Sequence, residues 1–80
     1  MSIIYDLIMD KDIFLKLGHK IKYERSKKDV SQLDLSLKTG LTTRTISRIE
    51  CGNIDPKYST LVKISGALDI DITELLTFTL

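Results

Sequence analysis

A glycine turn between two short helical patterns limits what this chain can fold into more than any other feature of its sequence. The segment TGLTTRTISRIECGN, residues 39–53, places Gly40 directly before a helix-forming stretch. Glycine adopts the left-handed conformation that stops one helix and turns the chain sharply. The next helix and the residue before its cap supply only three apolar residues that could enter a core: Leu41, Ile46 and Ile49. Its other face carries Thr42, Thr43, Arg44, Ser47 and Arg48. A helix that only filled a core would normally show outward charges of both signs, so this face indicates a binding surface, with a plain solvated face as the alternative.

The length and composition predict one small domain. Eighty residues hold about enough apolar material to close a single core, and 42% hydrophobic with 29% charged residues is ordinary for a globular chain, so neither disorder nor a membrane span is expected. The early apolar run is broken by Asp6 and Asp10 and has no basic residue before it, which argues against a signal peptide. With a single cysteine, Cys51, no intrachain disulfide is expected, and the cytoplasm is the predicted compartment.

The charge is unevenly distributed although the net charge is only +1. Residues 16–48 carry nine basic and three acidic side chains, whereas the segments before and after them are net negative. Such a basic middle segment attracts a polyanion to one face without making the whole protein basic.

Apolar periodicity predicts five short helices. They cover residues 11–28, 32–39 and 43–50, a stretch entered through Asp55-Pro56 and ending near Leu68, and a last segment with Leu75 and Leu76. Ser31 and Asp34 have the spacing of a capping box, as do Asp71 and Glu74, and Thr42 is the expected cap of the third helix. The predicted inward residues are Phe14, Leu17, Ile21, Leu35, Leu41, Ile46, Ile49, Leu61, Ile64 and Leu68. Residues 76–80 alternate with period two, which fits either a short strand or a frayed end.

The second and third helices have the spacing of a helix-turn-helix. Counting Gln32 as the first position, the fixed places of the motif are filled by Leu35, Ser36, Gly40, Leu41, Ile46 and Ile49. The small residue and the glycine let the two helices cross closely, and the aliphatic residues hold the second helix on the body of the domain.

On these residues the chain resembles the Cro/phage-repressor, or xenobiotic-response-element type, helix-turn-helix family of prokaryotic transcription regulators. The resemblance runs from Leu17 to Leu76 through LGHKIKYER, VSQLDL, TGLTTRTISRIECGNIDP, STLVKISGAL and DITELL. It implies an all-α, compact five-helix, lambda-repressor-like domain in a prokaryotic cell, or one encoded by a phage or plasmid. Asp29, Ser36 and Thr39 depart from the usual glycine, alanine and buried aliphatic residue, and Asp29 and Thr39 are expected to reduce local stability.

The resemblance implies that the helix after Gly40 enters the major groove of DNA. The base-facing residues would be Thr42, Thr43, Arg44, Ser47 and Arg48. An arginine can donate two hydrogen bonds to guanine, and a threonine methyl can contact thymine. The phosphate-facing residues would be Ser31, Gln32, Asn53 and Lys57, and the alternative for Gln32 is a hydrogen bond at the helix start only. Four more lysines would supply a general positive field: Lys20, Lys22, Lys27 and Lys28.

Other residues have expected structural roles or none. The resemblance implies that Arg25 pairs with Glu50 and thereby orients the recognition helix. Cys51 is expected to be a small packing residue, with redox sensing as the alternative. The sequence holds no nucleophile and base pair, metal-ligand spacing or phosphate-binding glycine loop, so we expect neither enzymatic activity nor a cofactor.

The predicted organisation is an N-terminal apolar extension over residues 1–10, the helix-turn-helix domain over 11–76 and a tail over 77–80. The predicted function is a sequence-specific, repressor-like regulator that binds a palindromic operator as a homodimer, because one helix reads too few base pairs. Apolar residues near both termini would form the dimer interface or merely cover their own core: Ile3, Ile4, Leu7, Ile8, Leu76, Phe78 and Leu80. The alternative is an antitoxin-like module that binds a toxin or another regulator through Leu33 and Leu37 and does not read DNA.

Overall fold

Five α-helices account for most of residues 12–77, the part of the chain that this computed structural model describes. They are α1 Asp12–Lys27, α2 Gln32–Thr39, α3 Thr43–Glu50, α4 Tyr58–Ala67 and α5 Ile72–Leu75. The described residues contain no strand, which confirms the all-α expectation. The predicted bounds of α2 and α3 are confirmed, whereas α4 begins later than expected from Pro56. Lys57 takes the extended N-cap position before α4, and its side chain makes no capping hydrogen bond.

Side-chain caps start three of the helices. The Ser31 hydroxyl accepts the Asp34 amide hydrogen at 2.9 Å, and the Asp34 carboxylate accepts the Ser31 amide hydrogen at 3.1 Å, so the predicted capping box before α2 is formed. The pKa of the Asp34 carboxyl is lowered by hydrogen bonding from Ser31, first from its backbone amide and then from its side chain. The second predicted box is wrong, because Asp71 accepts instead from the amide and hydroxyl of Thr73 at 2.9 and 2.7 Å. The Glu74 carboxylate lies near Lys20 of α1.

Two aspartates end helices in the left-handed conformation. Asp29 after α1 has φ +57° and Asp69 after α4 has φ +56°. In each case the next amide, of Val30 or Ile70, bonds back over the last turn of its helix at 3.0 Å. Glycine would adopt this conformation at no steric cost. The expectation that Asp29 reduces local stability therefore has a physical basis, the positive φ that an L-residue must hold there.

The core lies between all five helices. α1 packs on α3 and α5, α2 packs on α3 and α4, and α4 packs on α5. The buried apolar residues are Leu17, Ile21, Leu35, Ile46, Ile49, Leu61, Ile64, Leu68 and Leu75. Phe14 and Leu41, two of the predicted inward residues, are only half-buried. This arrangement holds α3 by its inner face and leaves its opposite face open.

Several predictions fall on other parts of the chain. The N-terminal extension over residues 1–10 and the tail residues Phe78, Thr79 and Leu80 lie outside the described residues. Leu76 is 42% exposed, and the backbone around it forms a turn. Within residues 12–77 no helix has the length and apolar character needed to span a bilayer.

Candidate nucleic-acid interface

The helix α3, which the resemblance implies is the recognition helix, packs on the body of the domain with one face and leaves the opposite face open. Ile46 and Ile49 are buried against the core and hold the helix in place. The five side chains expected to face bases lie elsewhere on α3 and at its N-cap. Thr42, Thr43, Arg44 and Arg48 are exposed, and Ser47 is half-buried. Residues three or four apart share a helix face, so Thr43 and Ser47 form one row and Arg44 and Arg48 form the next.

The two arginines of α3 have no partner in the part of the chain that the structure describes. Neither Arg44 nor Arg48 makes a side-chain hydrogen bond or an ion pair with any residue between 12 and 77. Each guanidinium therefore keeps all five of its donors for an external acceptor. This is the arrangement that recognition of guanine or phosphate by arginine requires.

The start of α3 is fixed by a threonine. The Thr42 hydroxyl accepts the amide hydrogen of Thr45 at 3.1 Å and lies 3.0 Å from the Thr45 hydroxyl, to which it donates. As predicted, Thr42 is the N-cap of the helix. With its hydrogen and one lone pair engaged in this way, Thr42 can offer a base its methyl group and the remaining lone pair of its hydroxyl without loss of the cap.

The turn before α3 is closed by glycine and two hydroxyls. Gly40 has φ +79°, the left-handed conformation predicted for it, and its amide bonds to the Ser36 carbonyl at 2.9 Å. The Ser36 hydroxyl donates to the carbonyl of Leu41 at 2.5 Å, and the Thr39 hydroxyl accepts the amide hydrogen of Leu41 at 3.2 Å. Thr39 was expected to weaken this region, and the structure instead gives its hydroxyl a place in the turn.

The end of α3 is anchored through Glu50. Arg25 of α1 donates from Nε to Oε2 of Glu50 at 2.8 Å and from Nη2 to Oε1 at 3.1 Å. Gln32 of α2 donates a third hydrogen bond to Oε1 at 3.0 Å. Arg25 also donates to the carbonyl of Val30 at 2.8 Å, which leaves the guanidinium well satisfied. The bond to Glu50 raises the pKa of Arg25. One carboxylate thus joins the recognition helix to both helices beneath it.

Two glycines allow α1 to lie very close to α3 and to the loop that follows it. A Cβ on Gly18 would lie 2.5 Å from the carbonyl oxygens of Ile49 and Glu50. A Cβ on Gly52, which also has φ +74°, would lie 2.7 Å from the Cα of Leu15. The sequence analysis missed the role of Gly18. The signal that could have revealed it is a glycine inside a helical pattern, which often marks a close packing contact.

The predicted phosphate-facing residues lie at two helix starts and a loop. Ser31, Asn53 and Lys57 are exposed and Gln32 is half-buried. Two of them are already engaged, since the Ser31 hydroxyl caps α2 and one amide hydrogen of Gln32 is held by Glu50. From the sequence, Gln32 was expected to contact a phosphate or to make only a hydrogen bond at the helix start, and its bond to Glu50 is neither of these.

Three of the four lysines expected to supply a general positive field have partners within the described residues. Lys20 and Lys27 pair with the buried Glu24 at 3.0 and 3.2 Å, and Lys20 also lies 3.5 Å from Glu74. The Lys20 ammonium above all, with help from Lys27, lowers the pKa of Glu24. The Lys28 ammonium donates to the carbonyls of Leu68 and Asp69 at the end of α4. Lys20 and Lys28 therefore connect α1 and the residue after it to α5 and to the end of α4, whereas Lys27 pairs within α1.

Other reactive side chains form no site in the described part of the chain. No group of three or more His, Cys, Asp or Glu side chains there is placed to hold a metal ion. Cys51 is exposed at the end of α3, so the expectation that it fills the core is wrong.

Comparisons with known proteins agree with this geometry. A sequence model of the helix-turn-helix family matches residues 21–75. Two relatives named as HTH-type transcriptional regulators come from Sinorhizobium fredii, 38% identical over 70% of this chain, and Bacillus subtilis, 34% identical over 74% of it. The chain spans 29% and 51% of the lengths of these two relatives. A third, from Methanocaldococcus jannaschii, is 32% identical over 78% of this chain and 94% of its own length.

A solved structure has the same fold. The restriction-modification controller protein C.AhdI from Aeromonas hydrophila superimposes with a TM-score of 0.76 at 30% identity, covering 80% of this chain and 96% of that one. The sequence match and the fold agree on the segment that contains α2, α3 and the turn between them. This chain therefore belongs to the XRE/Cro-type helix-turn-helix family of DNA-binding transcription regulators.

Proposed function

We propose that this protein is a sequence-specific, repressor-like regulator that inserts α3 into the major groove of a palindromic operator as a homodimer. The observation that carries the proposal is the pair Arg44 and Arg48, which are exposed one helical turn apart and have no hydrogen-bond or ion-pair partner within residues 12–77. An arginine that donates two hydrogen bonds to guanine contributes about 1–3 kcal/mol of discrimination against another base. Repression follows from occupancy, because a bound domain of this size blocks other proteins from the same DNA.

The remaining contacts divide into two classes. Thr42, Thr43 and Ser47 would contact base edges beside the two arginines, mainly through methyl and hydroxyl groups. Four residues around the edge of α3 would hold the phosphates and set the register: Ser31, Gln32, Asn53 and Lys57. Because Gln32 is bonded to Glu50, a phosphate contact from Gln32 would also be tied to the end of the recognition helix.

Dimerisation follows from the size of one recognition surface. A single helix contacts only a few base pairs, whereas two copies related by a twofold axis contact half-sites about 34–36 Å apart. Sedimentation equilibrium of the full chain, with and without its duplex, tests this part, and a monomer bound to one half-site would refute it. The protein would act in the prokaryotic cytoplasm, where its DNA is.

Selection of duplexes from a random pool tests the function as a whole. We expect a palindrome to be enriched and the affinity for it to fall steeply as salt rises, because phosphate contacts release counterions. Arg44→Ala should relax the preference at one symmetry-related pair of base positions. Lys63→Ala is the matched control, since it removes an exposed positive charge from α4 and should leave the selected sequence unchanged.

A second function has its own structural support. Leu33 and Leu37 lie one turn apart on α2 and are 59% and 75% exposed. Exposed leucines at this spacing suit the binding of another protein, which is the antitoxin-like or regulator-binding alternative. Random-duplex selection that enriches no sequence at moderate salt, together with a stoichiometric complex with a second protein that Leu37→Lys abolishes, would favour this alternative.

A further inference from the structure

In addition to the core contacts and the Glu50 anchor, the direction of α3 depends on the backbone at the short link from α2, where Leu41 stands between the two caps. Gly40 ends α2 in the left-handed conformation, and Thr42 is the N-cap of α3, so Leu41 alone connects the two. Peptide units are planar, and each residue has only two soft backbone dihedral angles. Rotation about the two dihedrals of Leu41 would therefore swing α3 as a unit relative to α2.

Both peptide planes next to Leu41 are tied to α2 by side-chain hydroxyls. The Leu41 amide belongs to the plane before it and donates to the Thr39 hydroxyl at 3.2 Å. The Leu41 carbonyl belongs to the plane after it and accepts from the Ser36 hydroxyl at 2.5 Å. With one hydrogen bond on each plane, both dihedrals of Leu41 are restrained from the same helix.

The two hydroxyls are themselves held by α2. The Thr39 hydroxyl donates to the carbonyl of Leu35 at 2.7 Å while it accepts from Leu41, so its orientation is determined. Ser36 contributes its carbonyl as well as its hydroxyl, because its carbonyl accepts the Gly40 amide at 2.9 Å. Ser36, Thr39 and Leu41 are half-buried, so the loss of either hydroxyl would leave a backbone group of the turn poorly solvated.

We propose that Ser36 and Thr39 are positioning residues that set the angle of the recognition helix by restraining both peptide planes of Leu41. The inference rests on the proposed function, in which α3 contacts base edges. In this proposal neither the Ser36 hydroxyl nor the Thr39 hydroxyl contacts DNA. A base-facing arginine contributes to specificity only when its donors meet their acceptors within a few tenths of an ångström, so a small swing of α3 weakens specific binding and leaves attraction to phosphates unchanged.

The variants Ser36→Ala and Thr39→Val test this proposal, singly and combined. Both replacements are close in size to the original side chain and remove only the hydroxyl function. The chain offers a matched control for each. Ser65→Ala removes a buried hydroxyl that donates to a carbonyl of its own helix at 2.9 Å, and Thr77→Val removes a hydroxyl bonded four residues back at 2.7 Å, as in Thr39.

Affinities for a selected duplex and for a scrambled duplex are compared at one salt concentration and at a temperature where circular dichroism shows every variant folded. Each of the two variants should bind the selected duplex about 3- to 10-fold more weakly and the scrambled duplex as wild type does. The controls should keep the wild-type ratio of the two affinities. A purely structural role for the hydroxyls would lower the melting temperature without changing that ratio.

Nuclear magnetic resonance of the free protein measures the angle directly. Residual dipolar couplings of the amides in α2 and α3 should report a changed interhelical angle in the double variant, and the Leu41 amide should exchange with solvent faster in Thr39→Val. If the couplings and the affinity ratio of the folded single variants match wild type, the proposal is wrong. If wild type selects no sequence at all, the proposed function fails, and the couplings alone then decide whether the hydroxyls set the angle.

Discussion

The substitution Glu50→Gln removes one charge from the junction of α1, α2 and α3 and keeps the size of the side chain. Glu50 accepts two hydrogen bonds from Arg25 and one from Gln32. The side chains of Glu50 and Arg25 are 4% and 11% exposed, so water cannot replace the lost partner. A glutamine at position 50 would also turn an amide group, itself a donor, toward the donors of Arg25.

The cost of this change follows from the burial of the pair. Removal of one partner from a buried ion pair costs about 3–5 kcal/mol, and glutamine retains one acceptor, so we expect about 3 kcal/mol. A domain of this length has a free energy of unfolding of roughly 4–12 kcal/mol. The change should therefore lower the melting temperature by roughly 12–24 °C. Arg25 stays charged in the variant, because a guanidinium in a protein does not lose its proton.

Urea unfolding followed by circular dichroism measures the effect, with Glu74→Gln as the matched control. Glu74 is 58% exposed and lies 3.5 Å from Lys20, so the same chemical change there should cost less than about 1 kcal/mol. Combining Glu50→Gln with Arg25→Met should restore part of the loss, because the double variant buries no lone charge. Equal costs for Glu50→Gln and Glu74→Gln would refute the anchoring role assigned to Glu50.

Two further predictions concern packing and pH. Gly18→Ala should destabilise the fold by about 1–3 kcal/mol, because its Cβ would meet two backbone carbonyls of α3. Gly66→Ala is its control and should stabilise by up to about 1 kcal/mol in thermal melts, since nothing lies within 4 Å. Lys20 and Lys27 lower the pKa of Glu24, so its contribution is present at neutral pH and lost as pH falls below about 4.5. Melting temperatures of wild type and Glu24→Gln should converge there, and a constant difference would contradict this.

The helices and most of their ends were predictable because their causes are local. Apolar periodicity placed α2 and α3, and the cap at Ser31 depends on residues within one turn. Gly40 was predictable for the same reason, since few residues other than glycine adopt its conformation without cost. The position of Arg25 opposite Glu50 came from the family resemblance, because no local rule relates residues twenty-five positions apart.

The features that sequence reasoning missed depend on contacts between distant segments. The closeness of Gly18 to α3 is visible only once α1 and α3 are packed together. The lysines of α1 read as a basic patch, and three of them are bound to carboxylates or carbonyls of the domain. The sequence analysis considered only the hydrophobicity of Thr39, whereas its hydroxyl links the backbone of α2 to the turn at Leu41. Charge and hydropathy alone do not distinguish a free polar group from a satisfied one.

The residues that hold α3 on the domain are different from those on its exposed face, and this separation has an evolutionary consequence. Ile46, Ile49 and Glu50 hold the helix, and none of them is among the residues that face outward. Under the proposed function, Arg44 and Arg48 can change identity without loss of a core contact, so a duplicated copy of the gene could acquire a new target in few steps. On the same proposal, transplanting the outer residues of another regulator onto this scaffold should give a folded protein with a different DNA preference.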